Sequence, residues 1–156
     1  MTIKKIKQWL NFDWLKKAEL VELDDVDVSK DPVRPELDIK FRTSYGRKIY
    51  GLKHDDQIKA VMCFAFTNDV PKTVEELDEL SKDAYLQATH RAGVQGSIAI
   101  AYTVWSLQKG GGKMIVDEVF KMIKQSNHLN RLVTLSPLTD ICLLYTSDAA
   151  DDRMRV

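Results

Sequence analysis

The pattern of apolar and polar positions predicts a strand, a tight turn and a helix in the second half of the chain. Residues 97–107 are rich in β-branched and aromatic side chains, which is typical of a buried strand. The helix is predicted from apolar residues that recur at helical spacing, namely Met114, Ile115, Val116, Val119, Phe120 and Ile123. Three consecutive glycines, Gly110 to Gly112, separate the two segments and predict a turn between them.

The same pattern predicts further elements on either side. Residues 1–17 carry apolar positions on one face and lysines on the others, which predicts an amphipathic helix that packs on its own domain; a membrane-surface helix is the alternative. A capping box formed by Thr73 and Glu76 marks the start of a helix that ends near Gly93. The remaining predictions are a strand over 19–28, a proline-containing loop with some extended structure over 29–45, an antiparallel hairpin of 47–53 and 58–67, and a short strand over 132–135.

The glycine turn is the candidate binding site. Glycines allow positive φ angles and a close approach of the backbone to a ligand. The first N–H groups of the following helix have no intrahelical acceptor, and the helix dipole favours an anion there. A strand, a glycine turn and a helix start therefore predict a phosphate cradle at Gly110 to Gly112. The alternative is a flexible turn that binds nothing.

The end of the chain resembles a translated sequencing adapter. The codons of a transposase-type adapter encode the residues from Cys142 to Asp151 in one reading frame, and an index and more adapter would supply residues 153–156. We therefore treat 142–156 as a non-native tail and exclude it from fold prediction. On this interpretation the natural domain covers 18–141 here and continues further in the intact protein, so the chain is expected to be an inactive fragment.

Charge and cysteine content restrict the function classes only weakly. The chain has 23 basic and 23 acidic residues, and 21 and 20 remain without the tail, so no nucleic-acid partner is predicted. Cys63 is then the one native cysteine, which suggests a reducing cytosol. No apolar run reaches the ~20 residues of a membrane span. His54, His90 and His128 lack metal-ligand spacing, so no metal site is predicted.

The segment Val104 to Met114 resembles the acyl-CoA-binding motif of the GNAT N-acyltransferase superfamily. Gly110 and Gly112 match the glycines of that motif, and Lys109 stands where arginine or glutamine is usual. Met114 replaces a small residue and Ser106 a common proline. The order of predicted elements also follows the family, although the helix from Thr73 lies where a direct turn is usual. The resemblance implies an α/β fold, a mixed and mostly antiparallel sheet flanked by helices, incomplete at its C-terminus.

The resemblance also implies a cosubstrate, acetyl-CoA or another acyl-CoA, and an amine acceptor that is a small molecule or a protein. Backbone N–H groups from Lys109 to Lys113 would bind the diphosphate, with Lys109 or Lys113 adding a charged contact. The pantetheine arm would run along the motif strand near Val104 and Trp105, where the next strand diverges. The catalytic base and the oligomeric state stay open.

Two other functions remain open at this point. The segment Thr134 to Leu138 is similar to part of malonyl-CoA decarboxylases, in which the serine that matches Ser136 takes part in catalysis. That resemblance implies a lyase as the alternative to an acetyltransferase. A simple strand end at Ser136 and Pro137 is the plainer interpretation. A non-catalytic interaction module is the remaining alternative.

Overall fold

The computed structural model describes residues 18–91, 96–135 and 142–146, so the helix predicted over 1–17 lies outside the described residues. Six strands and three α-helices are present in this part of the chain, together with one 3-10 turn at Val28–Lys30. The strands are β1 Glu19–Leu23, β2 Lys48–His54, β3 Gln57–Thr67, β4 Ile98–Ser106, β5 Arg131–Thr134 and β6 Cys142–Thr146. The helices are α1 Ile39–Thr43, α2 Val74–Arg91 and α3 Gly111–Gln125.

All six strands form one sheet in sequence order, β1 to β6. Neighbouring strands are antiparallel except β4 and β5, which run parallel and are connected through α3. A parallel pair requires such a crossover, whereas antiparallel neighbours need only short turns. The predicted fold class, an α/β fold with a mixed and mostly antiparallel sheet flanked by helices, is therefore confirmed.

The β2–β3 hairpin follows directly from its turn residues. His54 pairs with Gln57, which leaves the two-residue turn Asp55-Asp56. Both aspartates have positive φ angles, 52° and 61°. Two-residue hairpins favour this backbone because its twist matches that of the strands, and short acidic or amide side chains tolerate it. The predicted hairpin is confirmed.

The N-terminus of α2 is capped as the sequence predicts, with one difference. The Glu76 N–H donates to Thr73 Oγ1 at 3.1 Å, which satisfies a free donor of the first helical turn. The Glu76 carboxylate accepts from the N–H of Lys72 at 3.2 Å, one residue before the position that a capping box requires. The helix begins at Val74 as expected.

The sheet separates two apolar clusters. On one face, α3 buries Ile115, Val119 and Ile123 against the sheet, at the i, i+4, i+8 spacing of a single helical stripe. On the other face, Leu77 of α2 packs with β3, β4 and β5 together with partly buried residues from the segment between β1 and β2. The glycine turn leads from the sheet to the α3 face.

The segment between β1 and β2 differs from the sequence prediction. β1 ends at Leu23 rather than at residue 28, and the predicted loop contains the 3-10 turn and α1. Asp27 and Asp38 cap these two helical turns, since their side chains accept from the N–H groups of Ser29 and Phe41. These helical turns are three and five residues long, too short to show an apolar periodicity in the sequence.

The tail that the sequence analysis excludes contributes a strand. Residues Cys142 to Thr146 form β6 and pair antiparallel with β5. Backbone N–H and C=O groups of an outer strand pair with any extended segment, so this pairing requires little of the side chains. The proposed adapter origin of 142–156 stays a prediction.

Candidate functional site

The turn between β4 and α3 is built from its own polar groups. Gly110 occupies the N-cap position with a φ of 85°, in the left-handed region. The Ser106 hydroxyl donates to the Gln108 carbonyl and accepts from the Gln108 N–H. The Gly111 N–H also donates to the Gln108 carbonyl, at 2.9 Å. Three hydrogen bonds therefore close the turn on itself.

A side chain would have a different effect at each of the three glycines of the turn. Gly110 needs its positive φ. A Cβ on Gly111 would lie 2.6 Å from the Lys59 carbonyl oxygen, so this glycine lets α3 approach β3 closely. A Cβ on Gly112 would meet nothing nearer than 3.9 Å. The packing would therefore accept a side chain at Gly112, and the space beside this residue is open.

The backbone donors of the turn are fewer than the sequence predicts. The Gly111 N–H is already used inside the turn. Gly112 and Lys113 lie in the first helical turn, where N–H groups have no intrahelical acceptor. The Lys109 and Lys113 side chains are exposed beside them. The Gly112 and Lys113 N–H groups and the two exposed lysines therefore lie at the start of α3.

The other predicted site residues divide between the two faces of the sheet. Val104 and Met114 are half-buried and pack against the α3 cluster, close to the turn. Trp105 belongs to the opposite cluster, with 5% of its surface exposed. The structure therefore places Val104 on the α3 face of the sheet and Trp105 on the other face. Ser136 lies outside the described residues.

The described pairing of β4 with β5 ends in the middle of β4. Their register covers only Ile98 to Ala101, and the Leu135 N–H then donates to the Ala101 carbonyl at 3.1 Å. The next residue, Tyr102, has no opposite residue on β3 and forms a β-bulge. Bulges bend a strand and redirect its edge. We call the last described point of the β4–β5 pairing, at Ala101 and Leu135, the fork.

Arg34 lies in the fork and was missed by the sequence analysis. Its Nε donates to the Tyr102 carbonyl at 2.9 Å and its Nη2 to the Leu135 carbonyl at 3.2 Å. Only 6% of its surface is exposed. The sequence offers one weak signal for this position, a charged residue between Pro32 and Pro35 in an otherwise unpatterned segment.

A buried ion pair lies next to Arg34. Arg42 donates to Asp31 at 2.9 Å, and both side chains are fully buried. The other Asp31 oxygen accepts from Thr103 Oγ1 and from the N–H groups of Val33 and Arg34. Burial raises the pKa of Asp31, but these hydrogen bonds outweigh it and hold the pKa below its usual value. The carboxylate thus ties the β1–β2 segment to β4.

Two further titratable groups are buried beside this pair. Burial raises the pKa of the Cys63 thiol to about 11, although Arg42, 3.4 Å from its sulfur, opposes the shift. Burial also raises the pKa of the Tyr102 hydroxyl. Both groups therefore stay protonated and neutral near pH 7, which makes neither of them a ready nucleophile.

A cavity of about 210 Å³ lies on the Trp105 face of the sheet. Its walls are mostly apolar and include Leu23, Ile58 and Leu107. Three charged side chains also line it, Asp25, Asp27 and Lys30.

Within residues 18–91, 96–135 and 142–146, no group of acidic, histidine or cysteine side chains is arranged to hold a metal ion.

Comparison with known proteins gives a likeness of fold. No protein-family model matches the chain, and no curated protein matches it. Among solved structures, malonyl-CoA decarboxylase from Cupriavidus metallidurans matches 84% of the chain with a TM-score of 0.53 and 19% identity. At that identity the likeness establishes a shared fold, and the chain spans 34% of the other protein's length. None of the helices in the described part of the chain is long and apolar enough to cross a membrane.

Proposed function

We propose that this chain is part of an acyl-CoA-dependent N-acyltransferase that transfers an acetyl or other acyl group from CoA to an amine. The observation that carries the proposal is the open N-terminus of α3. Gly112 has no side chain there, although no neighbouring atom would clash with one. The Gly112 and Lys113 N–H groups and the Lys109 and Lys113 ammonium groups would bind the diphosphate of CoA.

The spacing between this turn and the fork supports the proposal. Tyr102 precedes the end of β4 at Ser106 by four residues, which is about 13 Å at the rise of a strand. An extended pantetheine arm spans a comparable distance. A diphosphate held at Gly112 would therefore place its thioester near the fork.

The reaction needs positioning more than a covalent intermediate. The amine nitrogen adds to the thioester carbonyl carbon, the C–S bond breaks, and the amine proton ends on the CoA thiol. Orientation of the two reactants accounts for much of such catalysis. The acceptor amine would bind beside the thioester, near the fork. A small-molecule or protein amine fits this description, and a buried reduced thiol at Cys63 suits a cytosolic enzyme.

Two substitutions at one position test the site. Gly112→Asp places a carboxylate where the diphosphate would lie, and we expect acetyl-CoA affinity to fall more than about tenfold, or 1.4 kcal/mol. An acidic residue favours a helix N-terminus, so the variant should remain folded. Gly112→Ala is the matched control, because its Cβ has open space, and it should bind as the wild type does. Isothermal titration calorimetry measures both, and equal affinities in the two variants would contradict the proposal.

The second candidate is a malonyl-CoA decarboxylase-like lyase, which the fold likeness favours. It would convert malonyl-CoA and a proton into acetyl-CoA and carbon dioxide without an amine. The intact protein distinguishes the two functions. Thiol release from acetyl-CoA that depends on an amine supports acyl transfer, whereas acetyl-CoA formed from malonyl-CoA alone supports the lyase. A protein that binds neither thioester would be an interaction module.

A further inference from the structure

A second cavity of about 210 Å³ lies at the end of the sheet opposite the glycine turn. It is lined by residues that follow β3 and by residues at the starts of β4 and β5. Ile98 lines it, and β4 ends at Ser106 eight residues later, which is about 26 Å at the rise of a strand. The cavity is therefore separate from the candidate phosphate site. We call it the polar cavity, after its polar lining residues Asn68, Asp69, Ser97, Asn130 and Arg131.

Asn130 carries a buried oxygen that lacks a hydrogen bond. Its Oδ1 meets no donor within residues 18–91, 96–135 and 142–146. The large majority of buried polar side-chain atoms in proteins have a partner, so an exception of this kind calls for a bound molecule to supply one. An amide oxygen only accepts hydrogen bonds. The molecule that satisfies Asn130 must therefore bring an N–H or O–H donor.

The charge of Asp69 indicates which donor suits the polar cavity. Its exposed carboxylate is a second acceptor in the lining, and it favours a donor that is positively charged. Arg131 lines the cavity as well, and it already takes part in an interaction within the protein. A primary ammonium group has three N–H donors, which is enough to serve the Asn130 oxygen and the Asp69 carboxylate together.

Backbone contacts hold both acceptors in place. The Asn130 N–H donates to the Ser97 carbonyl at 2.9 Å, and Thr67 Oγ1 donates to the Asp69 carbonyl at 2.6 Å. A Cβ on Gly96 would overlap the Thr67 carbonyl oxygen, so the chain before β4 packs directly on the end of β3. Because these contacts fix the lining before a ligand arrives, little ordering is needed on binding.

We propose that the polar cavity binds a small molecule through a primary ammonium group that donates to Asn130 Oδ1 and to the Asp69 carboxylate. This inference does not rest on the proposed acyl-CoA function. The ligand is a second one, bound at the other end of β4 whether or not CoA is present.

Three small ligands test the proposed chemistry on the wild-type chain. Ethylammonium has both charge and N–H donors, tetramethylammonium has the charge without the donors, and ethanol has a donor without the charge. We expect ethylammonium to shift the backbone amide signals of Ser97 and Asn130 saturably in 15N-correlated NMR spectra. Tetramethylammonium and ethanol should bind at least about tenfold more weakly, or 1.4 kcal/mol.

Variants at Asn130 identify the acceptor. Asn130→Leu removes the oxygen at similar volume, and we expect the ethylammonium Kd to rise about tenfold. Asn130→Asp keeps an acceptor and adds a negative charge, so it should bind at least as tightly as the wild type. Asn127→Leu is the matched control, because Asn127 is exposed and lies outside the cavity lining, and its Kd should equal that of the wild type.

The wild-type comparison stands even if an Asn130 variant does not fold. The absence of a saturable shift with ethylammonium, or equal binding of the three ligands, would overturn the proposal, and water would then be the partner of the Asn130 oxygen. Unchanged affinity in Asn130→Leu, or loss of binding in Asn130→Asp, would overturn it as well. Acetyl-CoA binding is measured separately at Gly112, so a failure there leaves this result untouched.

Discussion

Loss of the buried guanidinium of Arg42 should leave Asp31 charged and without its partner. In Arg42→Met the apolar side chain retains much of the volume, but the carboxylate loses its ion pair and the carbonyls of Leu37 and Arg34 lose their donor. Breaking a buried pair from one side costs about 3–5 kcal/mol. A protein of this size is stable by about 5–15 kcal/mol, so the variant should lose a large share of its stability.

Urea unfolding followed by circular dichroism measures this loss. With an m-value of about 2 kcal/mol/M, the midpoint should fall by about 2 M. The double variant Asp31→Asn/Arg42→Met is the informative control. Asparagine keeps an acceptor oxygen for Thr103 and for the Val33 and Arg34 N–H groups but carries no charge. We expect the double variant to be more stable than Arg42→Met by about 1–3 kcal/mol.

The pH dependence has a definite sign. In the wild type the folded pKa of Asp31 lies below its usual value of 3.8, so its contribution to stability is present above that value and is lost as the pH falls through the folded pKa. In Arg42→Met, one of the groups that oppose the effect of burial is lost, so the pKa of Asp31 rises. The stability deficit relative to wild type should therefore shrink as the pH falls through this raised pKa. A deficit below 1 kcal/mol, or a double variant no more stable than Arg42→Met, would refute the reasoning.

Two other predictions concern the turn and the thiol. Gly111→Ala should lower the free energy of unfolding by about 1–3 kcal/mol, because its Cβ would lie 2.6 Å from the Lys59 carbonyl oxygen; Gly112→Ala, which has open space, should not, and thermal unfolding of both variants measures the difference. The Cys63 thiol, with its pKa raised to about 11, should resist iodoacetamide at pH 8 until the protein unfolds. Peptide-resolved mass spectrometry would contradict that expectation if Cys63 were alkylated faster than the protein unfolds.

The elements that the sequence predicts correctly are those with a local physical cause. The turn at Asp55 and Asp56 depends on two residues that tolerate positive φ, and the start of α2 depends on the Thr73 hydroxyl. The apolar stripe Ile115, Val119 and Ile123 makes α3 recognisable from spacing alone. In each case the interacting groups are close in sequence.

The sequence by itself therefore determined the strand, the glycine turn and the helix that frame the candidate phosphate site. Only the tertiary structure decided which residues meet at the fork. The partners of Arg34 are 68 and 101 residues away, at Tyr102 and Leu135, and Thr103 reaches Asp31 across 72 residues. Charges in an unpatterned segment are expected in solvent. They are buried here because distant carbonyls, a hydroxyl and opposite charges compensate their desolvation, and the chain brings those groups together only when the whole sheet has formed.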